Sequence, residues 1–205
     1  VFDRDFLAQP AIEVAPALLG AILMKNSLEG VVSVRITEVE AYLGALDPGS
    51  HAFRGKTKRN AVMFEEPGFL YTYFTYGMHV CANVVCSPPG TASAVLLRAG
   101  EVVEGIELAR SRRLTTKIDT DLARGPARLV VALGITLADG GADLAVEPFE
   151  LTMPEHSQPF ESGPRTGLSG DGGTDAFPWR YWIPGAPSVS PYKRHVPKKR
   201  SQPIS

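Results

Sequence analysis

The sequence predicts a mixed α+β domain, and three observations carry that prediction. Residues 31–42 alternate with a period of two, the mark of a strand half buried in a sheet. Residues 69–83 are a run rich in Tyr, Phe, Thr and Val around Thr75-Tyr76-Gly77, which reads as two strands joined by a tight turn. Residues 101–113 and 126–133 read as helices set among further short strands. With 205 residues, 44% hydrophobic and 21% charged, the chain has the composition of an ordinary globular protein and the length for one sizeable core.

Taken in order, residues 1–12 predict a short helix or irregular lead-in around Phe2, Phe6 and Leu7. Residues 16–20 predict a short buried helix with Pro16 near its first turn. Residues 21–24 begin a strand, and residues 26–30 turn it back. In the strand 31–42, Val32, Val34 and Ile36 share a face, and strict alternation continues that face through Glu38, Glu40 and Tyr42. Two readings stay open here. The glutamates meet water as the strand leaves the core, or a carboxylate sits desolvated at a pocket margin, able to act as a base.

Residues 43–60 predict a long irregular connection, with a short helix over 58–63 as an option. Its stretch 51–60 holds Arg54, Lys56, Lys58 and Arg59 with no acid, which suits phosphate contact. Pro67-Gly68 turns the chain into the hairpin, where Gly77 supplies the positive φ of a short turn and leaves Tyr76 at the tip. A bulky ring at a tip either folds back on its own domain or wedges into something stackable. Residues 87–90 turn out of the hairpin, and residues 92–99 predict a buried strand that carries Arg98 near its end. In the helix expected over 101–113, acids precede arginines as the helix dipole prefers. The connector 114–123 is polar. The helix 126–133 opens at Gly125-Pro126 and stops at Gly134. Residues 144–146 and 149–153 predict short strands, residues 154–178 a mobile loop rich in Gly, Ser, Asp and Pro, and residues 179–183 a strand that closes the sheet.

Composition excludes several classes. The formal net charge is −1, so the whole-molecule field favours no particular partner. Five basic residues and no acid fall in the tail 193–205, which leaves a body of −6 in residues 1–192. Cys81 and Cys86 lie an odd number of positions apart in one strand and so cannot pair with each other. The four histidines, His51, His79, His156 and His195, show no metal-ligand spacing, so no metal site is expected. The longest apolar run, residues 14–24, is too short to span a bilayer, and acids stand where a signal peptide would have basic residues. A reducing compartment, cytoplasmic or nuclear, fits. There are no internal repeats, no GxGxxG and no P-loop.

The ordered motifs resemble one family. They are residues 35–44 (Arg35-Ile36-Thr37-Glu38-Val39-Glu40-Ala41-Tyr42-Leu43-Gly44), His51, Met63-Phe64, Pro67-Gly68, Tyr71, Tyr73, Tyr76-Gly77-Met78 and Asn83. They continue through Leu96-Leu97-Arg98-Ala99, Glu104-Gly105, Gly125-Pro126, Leu133-Gly134 and the segment from Arg180-Tyr181 to Ser190. Together they resemble the alkyladenine (3-methyladenine) DNA glycosylases of the compact type, not the helix-hairpin-helix type, over nearly the whole chain. The resemblance implies a single mixed domain over residues 1–192, with a curved, largely antiparallel sheet, flanking helices and a protruding hairpin. It implies a monomer that works on duplex DNA containing damaged purines, without metal or cofactor.

The resemblance also assigns roles. Glu40 is the expected general base and Arg98 the residue that orients it and the water. Tyr42, His51 and Tyr73 are the expected walls around an extruded base, and Asn83 an obstruction to the 2-amino group of guanine. Tyr76 is the expected wedge, with Met78, His79, Arg54 and Arg59 as further DNA contacts. His79 stands where the family often has another aromatic. No lysine or terminal amine takes the nucleophile's place, so the expected product is a free base and an intact strand with an abasic site. Two other readings remain, an inactive nucleic-acid-binding module and a hydrolase of free nucleosides. Glu40 with Arg98 argues against the first, and the hairpin tip with the basic tail argues against the second.

Overall fold

The computed structural model describes residues 2–75 and 77–196. In chain order the elements are helices α1 (Arg4–Leu7) and α2 (Ala11–Ala17), and strands β1 (Ile22–Ser27), β2 (Gly30–Tyr42), β3 (Leu70–Thr75), β4 (His79–Cys86) and β5 (Ser93–Glu104). Helices α3 (Ile106–Arg112) and α4 (Pro126–Leu133) and strands β6 (Phe149–Thr152), β7 (Glu161–Gly163) and β8 (Arg180–Trp182) follow. The strands form one antiparallel sheet in the order β3-β4-β5-β2-β1-β6. Strand β8 pairs with residues 38–40 of β2 and carries β7 on its far side. The mixed domain with an antiparallel sheet and flanking helices is the architecture expected.

Strand β2 organises the site. Its first half pairs with β1 on one edge and its second half with β8 on that same edge, while β5 runs along the other. The register with β5 shifts between Ile36 and Val39. Across that irregularity the core positions pass from Val32, Val34 and Ile36 to Val39 and Ala41. A bulge bends a strand and re-aims its side chains. The glutamates therefore do not continue the apolar face, as strict alternation had it. They point away from the core positions, and both are nonetheless fully buried, which rules out the reading in which they meet water.

Several boundaries differ from the sequence reading. Pro16 lies near the end of α2, not at the start of a later helix. Residues 101–104 extend β5, and α3 begins only at Ile106. Glu101 pairs with Arg35 across the sheet, and Glu104 accepts a 2.7 Å bond from Ser33, so these acids serve strand pairing and not a helix start. Gly105 makes the switch, with φ 71°; a side chain there would strike the Val31 carbonyl at 2.1 Å. Residues 144–146 form a turn, and the option of a helix over 58–63 becomes a 3₁₀ turn at Ala61–Phe64. Helix α4 occupies the expected residues and ends at Gly134 in the left-handed conformation.

The largest departure is in residues 154–178, expected as a mobile loop. The segment holds β7, a 3₁₀ turn at Asp171–Gly173 and the fully buried Arg165. The Arg165 guanidinium donates to both Asp47 carboxylate oxygens at 2.6 and 2.7 Å, and to the carbonyls of Ala41 and Gly172. Gly- and Ser-rich composition speaks for local freedom, but long-range partners tie this stretch to the sheet. Both cysteines are buried and free. Among the described residues, no helix is long and apolar enough to cross a membrane, and no cluster of three His, Cys, Asp or Glu could hold a metal ion.

Candidate active site

A cavity of about 300 Å³ opens between β2, the β3–β4 hairpin, the N-terminal end of α4 and the segment after β7. Its lining includes Glu40, Tyr42, His51, Tyr73, Asn83 and Arg98, so the six residues singled out for catalysis and base binding meet in one place. The volume lies at the lower end of the range for small-molecule sites, roughly 300–1,000 Å³.

The floor is a buried network of carboxylates and guanidiniums. Glu38 Oε1 accepts from Arg98 Nε (2.8 Å), Arg180 Nε (2.6 Å) and Ser190 Oγ (2.9 Å), and its Oε2 accepts from the Ser190 amide (2.7 Å). Burial pushes the Glu38 carboxyl up, but Arg98 and Arg180 outweigh it and hold the group below the ordinary carboxylate range. Arg98 reaches Glu40 as well, with Nη1 3.3 Å from Oε1. Burial lowers the Arg98 pKa, yet Glu40 and Glu38 together raise it, so the guanidinium stays charged. Glu40 Oε1 also accepts from the Thr166 amide (2.7 Å), and Oε2 accepts from the Tyr42 hydroxyl (2.8 Å). Charged pairs survive burial only when their remaining valences are met, and this network meets them.

The walls are aromatic. Tyr42 is held by its bond to Glu40 and by Arg165, whose guanidinium carbon lies 4.5 Å from the ring centroid. Tyr42 lines the cavity and Arg165 does not. Burial, then the charge on Glu40, push the Tyr42 hydroxyl well up, and it stays protonated as a donor. Opposite, His51 and Tyr73 stack edge to face with centroids 4.5 Å apart. Tyr71 backs them; its hydroxyl is 3.1 Å from His51 Nδ1 and is pushed up to about 12 by burial. His51 lies at the mouth with one side open to solvent. Desolvation, then the nearby Arg59, lower its pKa, which keeps the ring neutral at pH 7. Asn83 is fixed by its bond to the Tyr71 carbonyl (3.0 Å).

The rim is open. Thr75 pairs with His79, and Gly77 has φ 68° with free space where a side chain would stand. Met78 is 70% exposed, and Phe74 and His79 are exposed beside it. Tyr76 lies outside the described residues. Arg59 ties the basic stretch to the hairpin through the Phe74 carbonyl (3.0 Å), while Arg54 is exposed. A second cleft adjoins the cavity across Arg98 and Thr166 and is lined by Arg124, Arg128 and Lys193. Lys198, Lys199 and Arg200 of the basic tail fall outside the described residues.

Comparison with known proteins decides the family. The profile of the methylpurine-DNA glycosylase (MPG) family matches residues 5–187. The chain belongs to this family. It is 65% identical over 197 residues to a Leifsonia xyli subsp. xyli protein, covering 94% of this chain and 92% of that one. It is 54% identical over 202 residues to a Streptomyces avermitilis protein, covering 96% and 94%, and 50% identical over 189 residues to one from Nocardia farcinica, covering 88% and 86%. Each of the three carries the name "Putative 3-methyladenine DNA glycosylase". Membership in the methylpurine-DNA glycosylases gives the general function, a DNA-binding glycosylase of base-excision repair.

Four parts of the site escaped the sequence reading: Glu38 as the anchor of Arg98, Arg180 with Ser190 behind it, Arg165 with Asp47 behind Tyr42, and Thr166 against Glu40. Glu38 alternates with Glu40, and Arg180 and Ser190 bound a recognised motif, so both carried a signal. Arg165 and Thr166 sit in the Gly- and Ser-rich stretch, where composition hid them.

Proposed function

We propose that this glycosylase removes alkylated and deaminated purines, of the 3-methyladenine, 7-methylguanine, hypoxanthine and ethenoadenine class, by hydrolysing the N-glycosidic bond. Glu40 at the floor of an aromatic-walled cavity carries this reading. Chemistry at C1′ needs the nucleotide out of the stack, at a cost of a few kcal/mol that falls for poorly paired damaged bases. Tyr42 would stack on one face of the flipped base and His51 with Tyr73 would close the other. Stacking suits a substrate class that varies at its edges and shares a π face. Asn83, held in place by Tyr71, would meet the 2-amino group of a normal guanine and exclude it.

Glu40 would take a proton from a water as that water attacks C1′, and its charge would stabilise the developing oxocarbenium ion. Arg98, clamped by Glu38, would keep Glu40 and the water aligned. Tyr76 would fill the gap in the duplex, with Met78 and His79 flanking it in the minor groove and Arg54 and Arg59 on phosphates. The protein would act as a monomer and leave the strand uncut.

The test is a duplex holding one hypoxanthine or ethenoadenine, incubated with the protein and then treated with alkali. A break at the lesion is expected. With Glu40→Gln the rate should fall about 10²–10⁴-fold, the usual worth of a general base, while lesion binding survives. Binding without any break by the parent protein would favour the inactive module. Activity on free nucleosides alone would favour the nucleoside hydrolase.

A further inference from the structure

We infer that the basic tail, from Lys193 to Arg200, is a clamp on the DNA backbone beside the lesion, a contact with phosphates that does not depend on sequence. The inference rests on the DNA-glycosylase reading above and adds a second surface to it. It starts from charge. Residues 1–192 carry −6, so the body on its own repels a polyanion, while residues 193–205 carry +5. A charge run alone reads as a solvated end, so its place in the fold decides.

That place is fixed. The segment that leads into the tail is pinned against the floor of the site. The Thr37 and Ser188 hydroxyls share a hydrogen bond (2.8 Å), and Arg124 Nε donates to the Val189 carbonyl (2.9 Å). Ser190 donates to both oxygens of Glu38, and the Gly167 amide donates to the Lys193 carbonyl (2.7 Å). This last bond fastens the first tail residue to the neighbour of Thr166, whose own amide is on Glu40. The tail thus leaves the fold close to the carboxylate and not at a remote corner.

The surroundings agree in sign. Lys193 lines the second cleft with Arg98, Arg124 and Arg128, against one acid, Asp121. Arg128, Lys193 and Arg194 are exposed. Arg98 and Thr166 line both this cleft and the base cavity. A nucleotide with its base in the cavity and its C1′ at Glu40 must leave its phosphates outside, and the cleft is a cationic surface that begins there. Fully extended, the stretch from Lys193 to Arg200 reaches no more than about 25 Å, so its charges stay on the duplex near the lesion. Each cation that neutralises a phosphate releases counterions, so a clamp of this kind is read in the salt dependence of binding.

The experiment uses the whole chain. Lys198, Lys199 and Arg200 are replaced together by Gln; Lys193→Gln is made separately and leaves its carbonyl on Gly167. Affinities for a hypoxanthine duplex and for the same duplex undamaged are measured from about 50 to 200 mM salt, where phosphate contacts are strongly salt-dependent. The single-turnover rate at saturating protein and the melting temperature are measured alongside. The slope of log affinity against log salt should be shallower by about 2.7 for the triple variant and by about 0.9 for Lys193→Gln. The parent's advantage over the triple variant should then shrink about 40-fold across that range, equally on both duplexes, with the saturated rate and melting temperature unchanged. A triple variant with the parental slope overturns the inference. So does a loss confined to the damaged duplex, which would make the tail a reader of the lesion, or a fall in melting temperature at parental slope, which would place the tail on the acidic body. A parent that binds duplex but breaks no lesion strand is a separate result; it removes the glycosylase reading, and the salt slope still decides this one.

Discussion

The floor and the rim of the cavity are built on opposite terms. At the floor, Glu38 accepts four hydrogen bonds and Arg98 bridges two carboxylates, all of it buried. At the rim, Phe74, Met78 and His79 lie open, and among the described residues no atom beyond its chain neighbours lies within 4 Å of where a Gly77 side chain would stand. The floor is oriented before any substrate arrives, as electrostatic catalysis requires. The rim holds apolar surface that a partner would have to cover. Substitutions at the floor should thus damage stability and chemistry together, and substitutions at the rim should damage binding alone.

The hardest blow to that contrast is Glu38→Gln. It strips the anchoring charge from Arg98 and Arg180, and breaking a buried ion network of this kind costs about 3–5 kcal/mol. Chemical denaturation should show that loss along with slow excision; a variant of parental stability would mean the network contributes little to the fold. Acid should act on the same group. Its pKa is depressed in the folded protein, so its stabilising contribution is complete above the unfolded value near 4.5 and is lost as pH falls through the lower folded value. The melting temperature of the parent should drop below about pH 4.5 more steeply than that of Glu38→Gln, and parallel curves would refute the assignment.

At the rim, Met78→Ala should weaken lesion-duplex affinity by about 1 kcal/mol, roughly fivefold, with the melting temperature and the saturated rate unmoved. A fall in melting temperature would show that the tip is part of the fold's own packing. The smallest effect is expected from Arg59→Ala. Removing its charge should let the His51 pKa rise part of the way to 6.5, since desolvation remains; an NMR titration that shows no rise would leave desolvation as the whole cause.

These two regions also differ in how plainly the sequence announces them. The hairpin, β2 and α4 are set by local signals: alternation, a glycine at a turn, Pro at a helix start and Gly at its end. Glu40, Tyr42, Tyr73 and Asn83 could be read because they recur in that local frame and in motifs that mark the family. The start of α3 misled because acids ahead of arginines suit a helix, whereas Glu101 and Glu104 answer Arg35 and Ser33 on a neighbouring strand. The bulge in β2 has no sequence mark, and it reversed the side on which both glutamates emerge. Residues 154–178 misled most, because what holds them is Asp47, far back in the chain, and not anything near at hand.

That distance has a consequence for how the molecule comes into being. Glu40 is met by an amide 126 residues later in the chain and Glu38 by partners 142 and 152 residues later. A chain ending ahead of residue 165 would hold the acidic pair with Arg98 but without the Thr166 amide, Arg180 and Ser190. The network around the two glutamates is therefore complete only once the chain through Ser190 has folded back onto β2.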